Sequence, residues 1–172
     1  MKTKTTHQQA MNVAQGLIAQ LEPLCERIVV AGSLRRMRPE VGDIELVAIA
    51  KPVFDLFGEP AGGCQITDWL TWQGIKPAKN GERYKQFEYG GYQVDLFLAQ
   101  PDNWGLIYMI RTGSGDFSKK MMTLKAWGGY LPQGLKVDDG RVWHSGAAVA
   151  VPTEEDLFKL WGMDFVPPQA RI

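Results

Sequence analysis

The apolar positions of the chain follow two rhythms. Val13, Leu17, Ile18 and Leu21 recur at helical spacing, with Thr5 or Thr6 placed to cap the helix and Pro23 to end it. From Ile28 the period changes. Ile28-Val29-Val30-Ala31 is a β-branched run that breaks at Gly32-Ser33, passes Arg35, Arg36 and Arg38, and resumes at Gly42-Asp43-Ile44-Glu45-Leu46-Val47. This predicts a strand, a Gly-Ser turn with a short helical segment, and a second strand. Residues 51–64, with Pro52, Pro60 and Gly62-Gly63, read as a loop. A short helix is expected over 66–73 with Trp69, Leu70 and Trp72 facing in, and strands 83–89 and 93–99 join through Gly90-Gly91.

Past Pro101 the pattern turns helical. A helix over 104–111 follows Asp102 or Asn103 as its cap, Thr112-Gly113-Ser114-Gly115 interrupts it, and a second helix over 116–127 carries Lys119, Lys120 and Lys125. Residues 131–142 predict a short hairpin turning at Asp139-Gly140. Thr153 caps a last helix with Glu154, Glu155 and Asp156 in its first turn. The expectation is an α+β chain divided at Pro101 into residues 1–100 and 101–172.

Composition narrows the function. With 172 residues, 45% of them hydrophobic, the chain is long enough to bury a core. Nineteen Lys and Arg balance nineteen Asp and Glu, so the basic excess of a tight non-specific nucleic-acid binder is absent. An anionic substrate must therefore meet local patches. Lys76, Lys79, Arg83 and Lys85 form one, readable equally as a solvated loop or as a nucleic-acid backbone contact. The stretch 138–164 is net acidic, which sets the C-terminal end apart from DNA. Cys25 and Cys64 form no C-x-x-C and read as reduced structural thiols, and His7 and His144 lack metal-ligand spacing. No apolar run reaches 18 residues and no signal-peptide pattern is seen, so a soluble cytoplasmic protein without membrane contact is expected.

Strand alternation puts Asp43 and Glu45 on one face and Ile44 and Leu46 on the other. Residues two apart in a strand are roughly 7 Å apart, close enough to share metal ions about 3.5–4 Å apart. Two such carboxylates repel without a cation. The Gly-Ser turn offers backbone N–H groups and a hydroxyl to phosphate oxygens, and Arg35 or Arg36 adds charge-assisted bonds. Asp95 is a lone acid in the apolar strand YQVDLFLA, on the face of Gln93 and Phe97. If that strand neighbours the first, Asp95 completes a cluster of three carboxylates. Each feature alone is the ordinary pattern of an edge strand or a turn; their combination favours a site.

Gly32-Ser33-x-x-Arg36, Gly42-Asp43-x-Glu45, Asp95 and Thr112-Gly113-Ser114-x-x-Phe117-x-Lys119 together resemble the family X DNA polymerases, the DNA polymerase β group within the polymerase-β-like nucleotidyltransferases. The closing segment VPTEEDLFKLWGMDFVPP is similar to the end of those enzymes, and the resemblance spans 28–168. It implies a nucleotidyltransferase palm with a mixed sheet, then a small C-terminal α/β subdomain that binds nucleotide and DNA. With 27 residues before the first palm strand, neither a lyase domain nor helix-hairpin-helix elements are expected, as in minimal viral-type members from phage or other viruses.

The resemblance further implies template-directed addition of dNMP to a primer 3′-OH, with short-gap filling in DNA repair. The expected partners are gapped or primer-template DNA and dNTP, acting on a monomer. Two Mg²⁺, replaceable by Mn²⁺, would sit on Asp43, Glu45 and Asp95 as catalytic and metal-binding residues. Gly32, Ser33, Arg36 and Gly42 would hold the triphosphate. Gly113 and Ser114 would line the deoxyribose, Lys119 would approach the templating base, and a cis Gly113–Ser114 bond is expected.

Four departures stand out. Glu45 replaces the family's Asp. Ile110 and Arg111 replace the aromatic residues that face the sugar. Ser118 and Met122, beside Lys120 on the DNA-facing helix, replace groups that read the minor groove. Gln93 replaces an Arg near the third acid. They predict weakened sugar discrimination and low fidelity or weak template dependence. An untemplated or RNA-directed nucleotidyltransferase, or a catalytically weak regulatory module, are the alternatives.

Overall fold

The computed structural model describes residues 4–172. The chain forms two compact units. One runs up to Val30 and from Arg38 to Ala99; the other comprises Ala31–Met37 and Gln100–Ile172. The arginine-bearing segment 31–37 was expected within the first hundred residues but packs with the C-terminal unit.

In the first unit, β1 (Thr5–Thr6) leads into α1 (His7–Leu21). The Thr6 Oγ1 accepts from the Gln9 N–H at 3.3 Å while Gln9 Oε1 accepts from the Thr6 N–H at 3.2 Å, so two orphan donors of the first turn are satisfied reciprocally. The buried stripe is Ala10, Ala14, Leu17 and Leu21, with Val13 and Ile18 half-buried at its edges. Small alanines let the helix sit close. Pro23 lies in the single 3-10 turn Glu22–Leu24 that stops it.

The chain then forms β2 (Cys25–Val30) and passes directly into α2 (Gly32–Arg35), which belongs to the second unit. It returns through β3 (Glu40–Val41), paired with β1, and β4 (Ile44–Ala50). The segment expected to be an open loop instead forms a small hairpin of β5 (Val53–Phe54) and β6 (Pro60–Ala61). Asp55 Oδ1 accepts from the N–H groups of Phe57 and Glu59 and closes its turn.

Next come α3 (Gln65–Trp72), β7 (Lys79–Asn80), β8 (Tyr84–Tyr89) and β9 (Tyr92–Leu98). Trp69 and Leu70 of α3 are buried, but Trp72 is 81% exposed, correcting the inward placement expected for it. Four longer strands and the two-residue β7 form one sheet in the order β2-β4-β9-β8-β7. Strand β4 runs parallel to β9 and the other pairs are antiparallel, so the sheet is mixed. Gly90 and Gly91, with φ of 58° and 82°, make the two-residue turn between β8 and β9 that demands positive φ at both positions.

Helices α1 and α3 cover one face of this sheet. Gln20 donates to the Tyr89 hydroxyl at 2.6 Å, and the Trp69 and Tyr89 rings lie 6.5 Å apart. Lys85, read above as part of a basic surface segment, is 2% exposed on this covered face. Its ammonium donates to Thr67 Oγ1, Asn80 Oδ1 and the Gly81 carbonyl, three neutral acceptors matching its three protons. It is a buried structural cation. The opposite face carries Glu45, Asp95 and Gln86.

The second unit is helical with a small sheet. Helix α4 (Trp104–Thr112) is followed by α5 (Gly115–Met122). The latter stops at Met122, and only a separate 3-10 turn, Lys125–Trp127, continues beyond it. Asn103 occupies the N-cap of α4 without a capping bond; its side chain accepts from the Gln100 N–H and donates to the Gly140 carbonyl. Strands β10 (Leu135–Asp138), β11 (Arg141–His144) and β12 (Ala147–Val149) form an antiparallel sheet, the third strand being additional to the expected hairpin.

Helix α6 (Glu154–Leu160) is capped by Thr153, whose Oγ1 accepts from the Asp156 N–H at 3.1 Å. Leu106, Met109, Phe117, Met121, Leu131, Val142, Val151, Leu157, Phe158 and Trp161 form the core of this unit. Gly105 lets α4 approach the start of α6: a Cβ there would lie 1.9 Å from the Thr153 carbonyl. Among the described residues no helix is long and apolar enough to cross a membrane.

Candidate functional site

Register decides which acids meet. Strands β4 and β9 are parallel neighbours, and Glu45 is directly aligned with Asp95. On the other side of β9, Gln86 of β8 is directly opposite Asp95, and Lys79 of β7 is opposite Gln86. Glu45, Asp95, Gln86 and Lys79 thus form one row across four strands spaced about 4.8 Å apart. Asp43 lies just before β4, in the bend with Gly42, rather than inside the strand as expected.

Asp95 is 9% exposed, and both of its oxygens are engaged. The Tyr84 hydroxyl donates to Oδ1 at 2.5 Å and Gln86 Nε2 donates to the same atom at 2.8 Å. Gln93 Nε2 donates to Oδ2 at 2.8 Å. Among the described residues, no three Asp, Glu, His or Cys side chains gather closely enough to hold a metal ion. The expected three-carboxylate cluster is therefore aligned by the backbone but not gathered by the side chains. Asp95 is engaged instead by neutral donors on β8 and β9. As a donor set, Asp43, Glu45 and Asp95 are all hard oxygens, which fits Mg²⁺ or Mn²⁺.

The Gly-Ser turn and the Thr112-Gly113-Ser114 turn belong to the same unit and are tied together. Gly32, with φ of 55°, opens α2, and Ser33 beside it is half-buried. Arg36 Nη1 donates to the Thr112 carbonyl at 2.6 Å and to the Gly113 carbonyl at 3.1 Å. Arg35, offered above as a second phosphate ligand, is committed elsewhere. Its Nη1 donates to Thr112 Oγ1 at 2.7 Å and to Glu154 Oε1 at 2.9 Å, its Nη2 to Glu154 Oε2 at 2.6 Å, and its guanidinium stacks 3.6 Å from the centre of the Tyr108 ring.

Glu154 also accepts from Arg171 Nη1 at 2.5 Å, and Arg171 is fully buried. Burial pushes the Glu154 carboxyl up, but the bonds from Arg35 and Arg171 outweigh it and hold the group below its ordinary range. The Arg171 carbonyl in turn accepts from the Ser114 N–H at 3.0 Å.

Ser114 caps α5, its Oγ accepting from the Phe117 N–H at 3.1 Å. The Gly113–Ser114 bond is trans, against the expectation, and no cis peptide occurs among the described residues. Both residues sit at ordinary extended dihedrals, φ of −63° and −61°. Gly113 leaves room for its neighbours: a Cβ there would lie 2.7 Å from both Phe117 Cδ1 and Ser118 Oγ.

Ser118 is a further correction. It is 6% exposed, and its hydroxyl donates to the Ile110 carbonyl at 2.8 Å, so it seals α5 onto α4 rather than facing DNA. Lys119, Lys120 and Met122 on the same helix are exposed, while Ile110 and Arg111 are half-buried at the end of α4.

Sequence reasoning overlooked Tyr84, Gln86, Thr112, Glu154 and Arg171. The first two were within reach. A two-residue turn at Gly90-Gly91 fixes the hairpin register, and counting back from it places Gln86 opposite Asp95. Glu154 carried no such signal, because an acid in a first helical turn is ordinarily explained by the helix dipole. Cys25 and Cys64 are free thiols, as expected; burial, with Cys64 nearby, pushes Cys25 up to about 11 and leaves it protonated and inert.

Comparison with known proteins adds one finding. Residues 107–172 match the family described as DNA polymerase beta thumb. No curated protein matches the chain. The chain has an α+β fold, and the match over these residues supports a family X polymerase-like protein; its thumb points to DNA binding and a DNA polymerase-like function.

Proposed function

We propose that the chain is a template-directed DNA polymerase that adds dNMP to a primer 3′-OH and fills short gaps in DNA repair. The observation that carries this reading is the alignment of Glu45 with Asp95 on adjacent parallel strands, in a chain with a polymerase beta thumb. Asp43, Glu45 and Asp95 would hold two Mg²⁺, with Mn²⁺ able to substitute. When bound, the metal lowers the pKa of the primer hydroxyl and offsets charge developing on the α-phosphate. The bond from the 3′ oxygen to the α-phosphorus forms, the bond to the β-phosphate oxygen breaks, and pyrophosphate leaves.

The chain's own groups then have distinct tasks. Ser33, the N–H group at Gly32 and Arg36 bind the triphosphate. Arg36 couples that grip to the Thr112-Gly113 carbonyls, which accept its bonds. Gly113, Ser114, Ile110 and Arg111 face the sugar, and Lys119 and Lys120 supply exposed positive charge to DNA. Ser118 is withdrawn from the role of reading the nascent pair. That withdrawal favours a second reading, a nucleotidyltransferase with weak or no template dependence.

Primer extension on a one-nucleotide gap, offering each dNTP and NTP singly with Mg²⁺ or Mn²⁺, separates the two. The polymerase reading predicts incorporation that follows the template base and is lost in Asp95→Ala. Incorporation indifferent to the template selects the second reading, and none under any condition rejects both. Arg36→Ala is expected to weaken the apparent dNTP affinity about tenfold or more, the worth of one charge-assisted contact. An unchanged affinity removes the phosphate role of the turn.

A further inference from the structure

An ionised carboxylate offers about four acceptor sites, two on each oxygen. On Asp95 these sites are filled unequally. Oδ1 takes two donors, Tyr84 Oη at 2.5 Å and Gln86 Nε2 at 2.8 Å, and is saturated. Oδ2 takes one, Gln93 Nε2 at 2.8 Å, and keeps a lone-pair direction open.

The two donors on Oδ1 are themselves fixed. Gln86 Nε2 also donates to the Tyr84 hydroxyl at 2.9 Å, which closes a triangle of bonds with Asp95. The Tyr84 ring is stacked on Phe97 with centroids 5.0 Å apart and planes 17° from parallel, and the Lys79 ammonium lies 5.3 Å from the ring centre. Register holds Gln86 directly opposite Asp95. Gln93 has no comparable lock. With Gln86 it lines a cavity of about 570 Å³, which also touches Ile75, Pro77 and Phe87 and gives the amide room to turn away.

From this asymmetry we propose that Tyr84 and Gln86 are positioning residues that pin Asp95 by Oδ1 and present Oδ2 to a divalent cation, with Gln93 as the donor that yields. The proposal rests on the reading of Asp95 as a metal ligand. All three donors are neutral, so they orient the carboxylate without cancelling the charge a cation needs. Outer-sphere donors of this kind typically account for roughly ten- to hundredfold in metal affinity. Gln93 differs in sign, because its bond occupies the oxygen the metal would take.

The test is Mn²⁺ binding, read by electron paramagnetic resonance on the intact chain without nucleotide or DNA. The variants are Tyr84→Phe, Gln86→Met, Gln93→Met and Asp95→Ala, each with its melting temperature. The proposal predicts Mn²⁺ affinity at least about tenfold weaker in Tyr84→Phe and Gln86→Met, melting temperatures near wild type, and affinity equal or tighter in Gln93→Met. Wild-type affinity in Tyr84→Phe and Gln86→Met, with loss in Asp95→Ala, would overturn the positioning roles while leaving the metal site standing. Equal losses in Gln86→Met and Gln93→Met would overturn the assignment of Oδ2. Undiminished binding in Asp95→Ala, or none in wild type, would overturn both the proposal and the reading beneath it.

Discussion

Two carboxylates of this chain, Asp95 in the first unit and Glu154 in the second, are almost equally buried, 9% and 4% exposed, yet they are satisfied in opposite ways. Glu154 is neutralised by two arginines, Arg35 and Arg171, and its charge is consumed within the fold. Asp95 receives only a phenol and two amides, so its hydrogen bonds are met and its charge is not. A buried charge paired with cations is an architectural element. A charge oriented by neutral donors beside another acid, Glu45, is what the proposed cation site would need.

The contrast is broken most severely at Glu154. Glu154→Gln leaves Arg171 buried against a neutral amide and should cost about 3–5 kcal/mol in urea unfolding. The same pair makes stability fall in acid. The folded-state pKa of Glu154 is depressed, so its contribution is whole above the unfolded value near 4.5 and is lost as pH drops through the lower folded value. Glu154→Gln should remove that part of the acid-side slope between pH 5 and the acid limit, measured as melting temperature against pH.

Gly105→Ala should come next. The added methyl pushes α4 away from Thr153, the cap of the helix that carries Glu154, and should cost about 1–3 kcal/mol. Ser118→Ala removes one bond to the Ile110 carbonyl and should cost about 1 kcal/mol. It should leave fidelity on a one-nucleotide gap unchanged; a changed error spectrum would return Ser118 to the DNA face. Asp95→Asn is the smallest of the set for stability, about 1 kcal/mol or less, because the shape and most of the bonds persist.

Much of the first unit was legible because strand period, turn chemistry and a capping box are local signals. Gly90-Gly91 specified the hairpin, Thr6 and Gln9 specified the start of α1, and the lone Asp95 announced a polar face in an apolar strand. Other features rest on partners distant in sequence. Lys85 looks like one lysine of a basic stretch until Thr67 and Asn80 are brought to it. Arg35 and Arg36 are indistinguishable by neighbourhood, yet one is spent on Glu154, 119 residues away, and the other on the Thr112 carbonyl. Ser118 could not be read as buried because its acceptor is a backbone carbonyl on another helix, invisible in any pattern of side chains.

The most direct measurement is one-nucleotide gap filling by Asp95→Asn, set beside its melting temperature and those of wild type and Glu154→Gln. The account predicts that Asp95→Asn melts close to wild type and extends no primer, whereas Glu154→Gln melts far lower. Gap filling by Asp95→Asn at the wild-type rate would contradict it, since the charge of Asp95 would then serve no cation and no chemistry.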